Sequence, residues 1–229
     1  MTGHKLTVRR AFYKTVPIMA GYIVLGMGFG ILLRNAGYGV LWALSMSLFI
    51  YAGSMQYVGV GLLTGGATVI TTAITTITVN CRHLFYGISM IEKYKNAGKY
   101  KPYMIFALTD ETYSLLCDDD DIGEDNNLYR FLVSIFDHCY WVTGTLIGNL
   151  LGEVIPFSTR GIEFSMTALF IASFTEQWIS SKDHLPAVVG IVSTVLCLVF
   201  LGPDRFLIPA MFLITFVLTL LRKKEERKQ

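Results

Sequence analysis

Two short stretches hold the side chains best suited to chemistry. The first is Asn80-Cys81-Arg82-His83-Leu84-Phe85-Tyr86-Gly87, which closes a run of threonines at Thr71, Thr72, Thr75, Thr76 and Thr78. Continued as one helix, it puts Asn80, His83 and Gly87 on one face and Arg82 with Tyr86 on the next. The second is Thr109-Asp110-Glu111-Thr112-Tyr113, in which Asp110 and Tyr113 stand one turn apart. Both lie in apolar sequence, where an arginine costs at least about 2.5 kcal/mol at a bilayer centre and adjacent carboxylates rarely both ionise without a cation nearby. Such groups pair with one another, hold an ammonium or pass a proton. The plainer alternative is that Arg82 snorkels to the headgroups, His83 marks a helix end and the acids belong to a wet loop.

A third candidate is Ala52-Gly53-Ser54-Met55-Gln56, a small-residue cluster with a glutamine in mid-segment. It reads either as close helix packing or as a local unwinding whose freed amides face a ligand. Asp137, His138, Glu163, Glu176 and Gln177 are weaker candidates of the same intramembrane kind. The run Asp118-Asp119-Asp120-Asp121 with Glu124 and Asp125 could bind magnesium, as acidic motifs of membrane transferases do. Its partner motif is missing, and a block of like charge is ordinarily a solvated loop. The four cysteines have no metal-like or disulfide-like spacing, and no nucleotide-binding glycine loop or nucleophile elbow occurs, so no metal, cofactor or ATP use is expected of this chain.

The elements that must position these residues are apolar helices. Of the 229 residues 53% are hydrophobic, and no Asp, Glu, Lys or Arg occurs from Asn35 to Cys81, from Thr15 to Leu33, from His184 to Pro203 or from Phe206 to Leu221. Soluble helices need a charged face, and these stretches lack one. Uninterrupted apolarity without period-two alternation excludes a barrel, so the expected fold is all-α, a polytopic transmembrane helix bundle. Hydrophobic segments fall at 15–33, 38–63, 66–91, 102–117, 128–151, 161–180, 185–202 and 204–221, giving seven or eight spans, some of them broken. The fourth is short for a bilayer core of about 30 Å and reads as broken, tilted or re-entrant.

The net charge of +2 is too small to imply a nucleic-acid partner. Lys5, Arg9, Arg10 and Lys14 at one end and Arg222, Lys223, Lys224, Arg227 and Lys228 at the other place both termini in the cytoplasm by the positive-inside rule. The first apolar stretch lacks a small-residue cleavage site and reads as a retained helix. The loop carrying Lys93, Lys95, Lys99 and Lys101 conflicts with three preceding full spans, so either the rule fails there or one early segment does not cross. The chain reads as one transporter domain over 1–229, with a faint repeat between 15–101 and 128–221. At an offset of 121 to 122 residues, Leu48-Phe49-Ile50 and Gln56 match Leu169-Phe170-Ile171 and Gln177, and Gly26, Gly30 and Gly39 match Gly148, Gly152 and Gly161.

The sequence resembles the AzlC-type branched-chain amino-acid permeases, the large subunits of two-component exporters. The resemblance rests on Phe49-Ile50-Tyr51-Ala52-Gly53-Ser54-Met55-Gln56-Tyr57, Asn80 to Gly87, Asp110-Glu111-Thr112-Tyr113, and Thr167-Ala168-Leu169-Phe170-Ile171 leading to Gln177. Tyr51 and the acidic run from Asp118 depart from the family pattern. The resemblance implies secondary export of leucine, valine, isoleucine or close analogues across the bacterial plasma (inner) membrane, with a small, hydrophobic AzlD-type membrane subunit as partner. On that reading the substrate-binding candidates are Gly53, Gln56, Asn80, Arg82, Asp110, Glu111, Tyr113 and Gln177. Arg82 or amides near Gly53 and Gln56 would meet the carboxylate, Asp110 or Glu111 the ammonium, and His83, Asp110 or Glu111 would carry a coupling proton. Two other readings are a magnesium-dependent intramembrane transferase using 118–125, and a scaffold subunit whose polar residues only bind partner helices.

Overall fold

The computed structural model describes residues 2–117, 126–154, 161, 183–202 and 206–226, with scattered positions between 164 and 181. Every regular element among the described residues is helical. They form two compact units, Met1–Thr167 and Ala168–Gln229.

The first unit is organised around α1 (Thr2–Asn35) and α8 (Asn126–Val154). These two helices run parallel, because contacts climb both together: Phe12 against Phe136, Thr15 on Tyr140, Tyr22 against Trp141 and Arg34 on Glu153. In their upper halves, towards Asn35 and Val154, glycines bring backbone onto backbone. A Cβ on Gly26 would lie 2.9 Å from Thr145 N and one on Gly144 2.6 Å from Ile23 O, while those on Gly30 and Gly148 would overlap the Thr145 and Met27 carbonyls. Small residues four apart allow this approach, and dispersion then stabilises the pair where lipid provides no hydrophobic drive. The glycines matched by the faint repeat, Gly26 with Gly148 and Gly30 with Gly152, lie along this one contact line.

Between α1 and α8 the chain makes two hairpins from opposite ends. The first joins α2 (Val40–Phe49) to α3 (Gly53–Thr64). It starts at the upper end, where Asn149 Nδ2 donates to Tyr38 O (3.1 Å), and turns at Tyr51, whose ring stacks on His138 at 4.1 Å. It then climbs again, since the Tyr57 hydroxyl donates to Leu25 O at 2.7 Å and its ring meets Phe29. Next, α4 (Val69–Asn80) and α5 (Arg82–Met90) descend in line, interrupted at Cys81. At about 1.5 Å per residue, 69–90 spans about 33 Å, enough for a bilayer core.

The second hairpin joins α6 (Lys101–Phe106) to α7 (Asp110–Cys117) from the lower end. Its start and finish lie together there: Lys93 Nζ donates to the carbonyls of Leu116 (3.2 Å) and Cys117. A buried cluster of Ala11, Met90, Tyr94, Met104, Leu116, Tyr129 and Val133 joins the start of α1, the end of α5, the lysine loop, both arms of the hairpin and the start of α8. The loop of Lys93 to Lys101 therefore lies at the same end as Arg9 and Arg10. The conflict between lysines and crossings disappears, because segment 38–63 turns back at Tyr51. Hydropathy windows see only continuous apolarity, so 38–63, 66–91 and 102–117 each read as one segment and are each divided.

Polarity is inverted relative to a water-soluble bundle. Gln56, Thr109, Thr112, Ser134, Asp137 and Asn149 are buried, whereas Val69, Ile70, Ile74 and Ile77 of α4 are between 60% and 85% exposed. Large apolar side chains left outside in this number call for a nonpolar surrounding. The threonines of α4 fit such a surface, because Thr72, Thr76 and Thr78 return their hydroxyls to the carbonyls of Thr68, Thr72 and Ile74. One described helix, Lys5–Asn35, is long and apolar enough to cross a membrane by itself. In the second unit α9 (Leu185–Leu201) packs on α10 (Leu207–Glu226); both are largely apolar, and α9 ends at Gly202 with φ 77°.

Candidate functional site

Three helix interruptions converge at mid-height of α1 and α8. The first is the turn before α3, where Tyr51 takes φ 44°, a left-handed conformation costly for a residue with a Cβ and held by burial of its ring on His138. Of the two readings of Ala52 to Gln56, the break falls at Tyr51 and Ala52, and Gly53 to Gln56 is the first turn of α3, with Gly53 packed against the Trp141 ring. The N-cap Ala52 supplies no side-chain acceptor, so the positive end of this helix faces the cluster uncapped. The second interruption is at Cys81, just before Arg82, and the third is the turn Ala107–Thr109, just before Asp110 and Glu111.

Arg82 lies between the other two breaks. Its Nε is 2.9 Å from Asp110 Oδ1, and its terminal nitrogen donates to Ser54 Oγ at 2.7 Å. The two charged side chains remain 25% and 24% exposed. Deeper in, the Tyr22 hydroxyl of α1 donates to Glu111 Oε2 at 2.6 Å and lies 2.6 Å from Thr109 Oγ1. Thr112 donates to Asp137 Oδ2 at 2.8 Å, and Asp137 Oδ1 has no hydrogen-bond partner although the residue is fully buried. Since the Ser47 carbonyl can only accept, His138 Nε2 donates to it at 3.0 Å, and Nδ1 meets the Tyr103 hydroxyl at 2.8 Å. Trp141 Nε1 donates to Gln56 Oε1 at 2.9 Å, leaving Gln56 Nε2 buried and unpartnered.

Of the residues singled out by sequence, Arg82, Asp110 and Glu111 are brought together beside Gly53-Ser54. Gln56 belongs to the same interior through Trp141, whose ring also lies against Gly53 and Tyr22. His83 and Asn80 flank Arg82; His83 packs on Tyr86, and Asn80 Oδ1 is buried without a hydrogen-bond partner. Tyr113 stacks on Tyr86 at 4.5 Å and accepts from Ser89 at an exposed site. Gln177, Glu163, Glu176 and the acidic run at 118–125 lie outside the described residues. Among the described residues no His, Cys, Asp and Glu group is suited to hold a metal ion. Sequence reasoning missed Tyr22 and Trp141, which are ordinary residues of apolar segments, and named Ser54 only as a member of the small-residue cluster. It gave little weight to Asp137, although a carboxylate within a long helix was the available signal.

With this arrangement in view, comparison with known proteins is informative. The family model of the AzlC protein matches residues 17–155, a stretch holding every member of the cluster just described. The chain belongs to the AzlC family. It is 41% identical over 222 residues to the branched-chain amino acid transport protein AzlC of Bacillus subtilis, covering 96% of this chain and 87% of the relative. It is similarly 41% identical over 219 residues to an uncharacterized membrane protein of Helicobacter pylori, covering 94% and 95%. Against the inner membrane protein YgaZ of Escherichia coli it is 27% identical over 168 residues, covering 69% and 68%. No solved structure matches the chain. Membership of the AzlC family agrees with the inside-out polarity of the fold and assigns the chain to membrane transport.

Proposed function

We propose that this chain is the large subunit of a multi-pass, proton-coupled exporter of branched-chain amino acids in the bacterial plasma membrane, and not an enzyme. The observation that carries the reading is the Arg82–Asp110 pair, a cation and an anion 2.9 Å apart at the meeting point of three helix breaks. A zwitterionic amino acid offers the complementary pair. Its carboxylate replaces Asp110 beside Arg82, Ser54 and the uncapped start of α3, and its ammonium replaces Arg82 beside Asp110 and Glu111. The resting ion pair is thus the occupant that substrate displaces, which spares the empty site an uncompensated buried charge. Gln56 Nε2 is a spare donor on the same side of the interior.

The transport reading is further supported by the shared end of Arg9, Arg10 and the Lys93–Lys101 loop, which the positive-inside rule assigns to the cytoplasm. On this topology α1, α4–α5 and α8 cross, and the two hairpins enter from opposite sides, their turns meeting at the substrate. The 41% identical relative is named for branched-chain amino acid transport, and the Arg82–Asp110 pair offers partners for both charges of such a substrate. The exposed apolar face of α4 is a suitable seat for a small, hydrophobic AzlD-type subunit. The test is export of labelled leucine from proteoliposomes holding the purified chain with and without such a subunit. Export that survives Arg82→Gln and Asp110→Asn undiminished would reject the site.

A further inference from the structure

Two carboxylates of the interior, the fully buried Asp137 and the half-buried Glu111, have no cation bonded to them among the described residues. Glu111 and Asp137 belong to different helices, yet a continuous line of oxygens joins them: Glu111 Oε2 to Tyr22 OH at 2.6 Å, Tyr22 OH to Thr109 Oγ1 at 2.6 Å, Thr109 Oγ1 to Thr112 Oγ1 at 3.1 Å, and Thr112 Oγ1 to Asp137 Oδ2 at 2.8 Å. Each of the four contacts has hydrogen-bond geometry, and each bond takes a hydrogen of its own. Four contacts need four hydrogens, and the three hydroxyls supply three. The fourth must come from a carboxyl group.

We infer that Glu111 and Asp137 jointly hold one exchangeable proton, and that the hydroxyls of Tyr22, Thr109 and Thr112 relay it between them. Burial supports the same count. Asp137 is fully buried, its Oδ1 has no hydrogen-bond partner, and no Lys or Arg forms an ion pair with it among the described residues. Ionised, it would be a desolvated charge with a single donor; protonated, it is neutral. The other titratable groups facing it from the packed elements are the hydroxyls of Tyr22, Tyr51 and Tyr103, with His138 beside it on α8. His138 is already committed to Ser47 O and Tyr103.

The transfer balances without a further reactant. Glu111 gives its proton to Tyr22, whose own passes to Thr109, that of Thr109 to Thr112, and that of Thr112 to Asp137. One O–H bond forms and one breaks at each hydroxyl, and the net change is one proton moved from Glu111 to Asp137. The inference rests on the transport reading for its role: an ammonium arriving beside Asp110 and Glu111 stabilises ionised Glu111 and drives the proton to Asp137. Arrival of substrate and position of the proton are then linked, as proton coupling requires.

Infrared spectroscopy of the purified full-length chain in lipid at neutral pH tests the proton itself. Wild type is expected to show a carboxylic-acid C=O stretch that shifts in D2O. Asp137→Asn is expected to abolish it, because the amide N–H donates the missing fourth hydrogen and leaves Glu111 ionised, whereas Glu111→Gln is expected to keep the band at a shifted frequency, because Asp137 remains buried without a counter-ion at the end of an altered line of hydroxyls. A band absent from wild type, retained in Asp137→Asn, or unshifted in Glu111→Gln overturns the inference. In proteoliposomes, Thr112→Val is expected to lower leucine accumulation driven by a proton gradient roughly a hundredfold while lowering leucine counterflow far less. Accumulation at the wild-type level in that variant would overturn the relay. If wild-type liposomes carry no leucine, the transport reading fails, and the infrared result still decides whether the carboxyl pair holds a proton.

Discussion

The α1–α8 pair has two halves built on opposite rules. In the upper half Gly26, Gly30, Gly144 and Gly148 set backbone against backbone, with no room for a methyl group. In the lower half and centre, the Thr15 and Tyr140 hydroxyls and the rings of Tyr22 and Trp141 meet across the pair, while the Tyr22 hydroxyl and the Trp141 N–H turn to Glu111 of α7 and Gln56 of α3. The first half is a packing joint whose tolerance is near zero. The second is a set of directed polar contacts, where shape survives substitution more readily than function does. A transporter needs both, since loosening the joint would displace the half-helices that meet below it.

Substitutions can break that contrast, beginning with the most severe. Gly148→Leu would drive a side chain into the Met27 backbone, which cannot rotate away. The destabilisation is expected to exceed the about 1–3 kcal/mol of ordinary overpacking, seen as loss of monodisperse protein on size-exclusion chromatography in detergent. Arg82→Gln should leave that elution profile intact while lowering leucine export by roughly 30- to 150-fold, the equivalent of about 2–3 kcal/mol of charge-assisted hydrogen bonding. Equal loss of folding and export would place Arg82 in the structural class instead.

Smaller effects sharpen the comparison. Trp141→Phe keeps the ring against Tyr22 and Gly53 but removes the donor to Gln56 Oε1. It is expected to cost about 1 kcal/mol of thermal stability and a few-fold of export. Gly21→Ala is the control within α1: a Cβ there meets nothing within 4 Å. Helix propensity then predicts a gain of about 0.5–1 kcal/mol in thermal unfolding and unchanged export. A loss comparable to that of Gly148→Leu would show that the whole of α1, and not the joint alone, is closely packed.

How far the sequence could be read differs by residue. Arg82, Asp110 and Glu111 stood out because ionisable groups in apolar sequence are costly wherever they end up. Tyr51 departed from the expected family pattern, and it proves to be the positive-φ residue at which the first hairpin turns. Tyr22 gave no signal, since a tyrosine in a charge-free span is commonplace, yet it bridges Glu111 and Thr109. The short fourth segment admitted a re-entrant path. For 38–63 the lysine loop allowed that one early segment does not cross, but which one was hidden, because its two arms are each apolar and no charge marks the turn.

Composition and charge distribution by themselves determined that the chain is helical and lipid-facing, and which rare polar residues have to be accounted for, because transfer free energies are additive along a sequence. Only tertiary structure decided that Glu111 meets Tyr22, that Asp137 meets Thr112, and that the lysine loop shares an end with Arg9 and Arg10. Those outcomes depend on where three helices break and how closely α1 approaches α8. Breaks and approach are set by contacts between residues far apart in the chain, which no local pattern encodes.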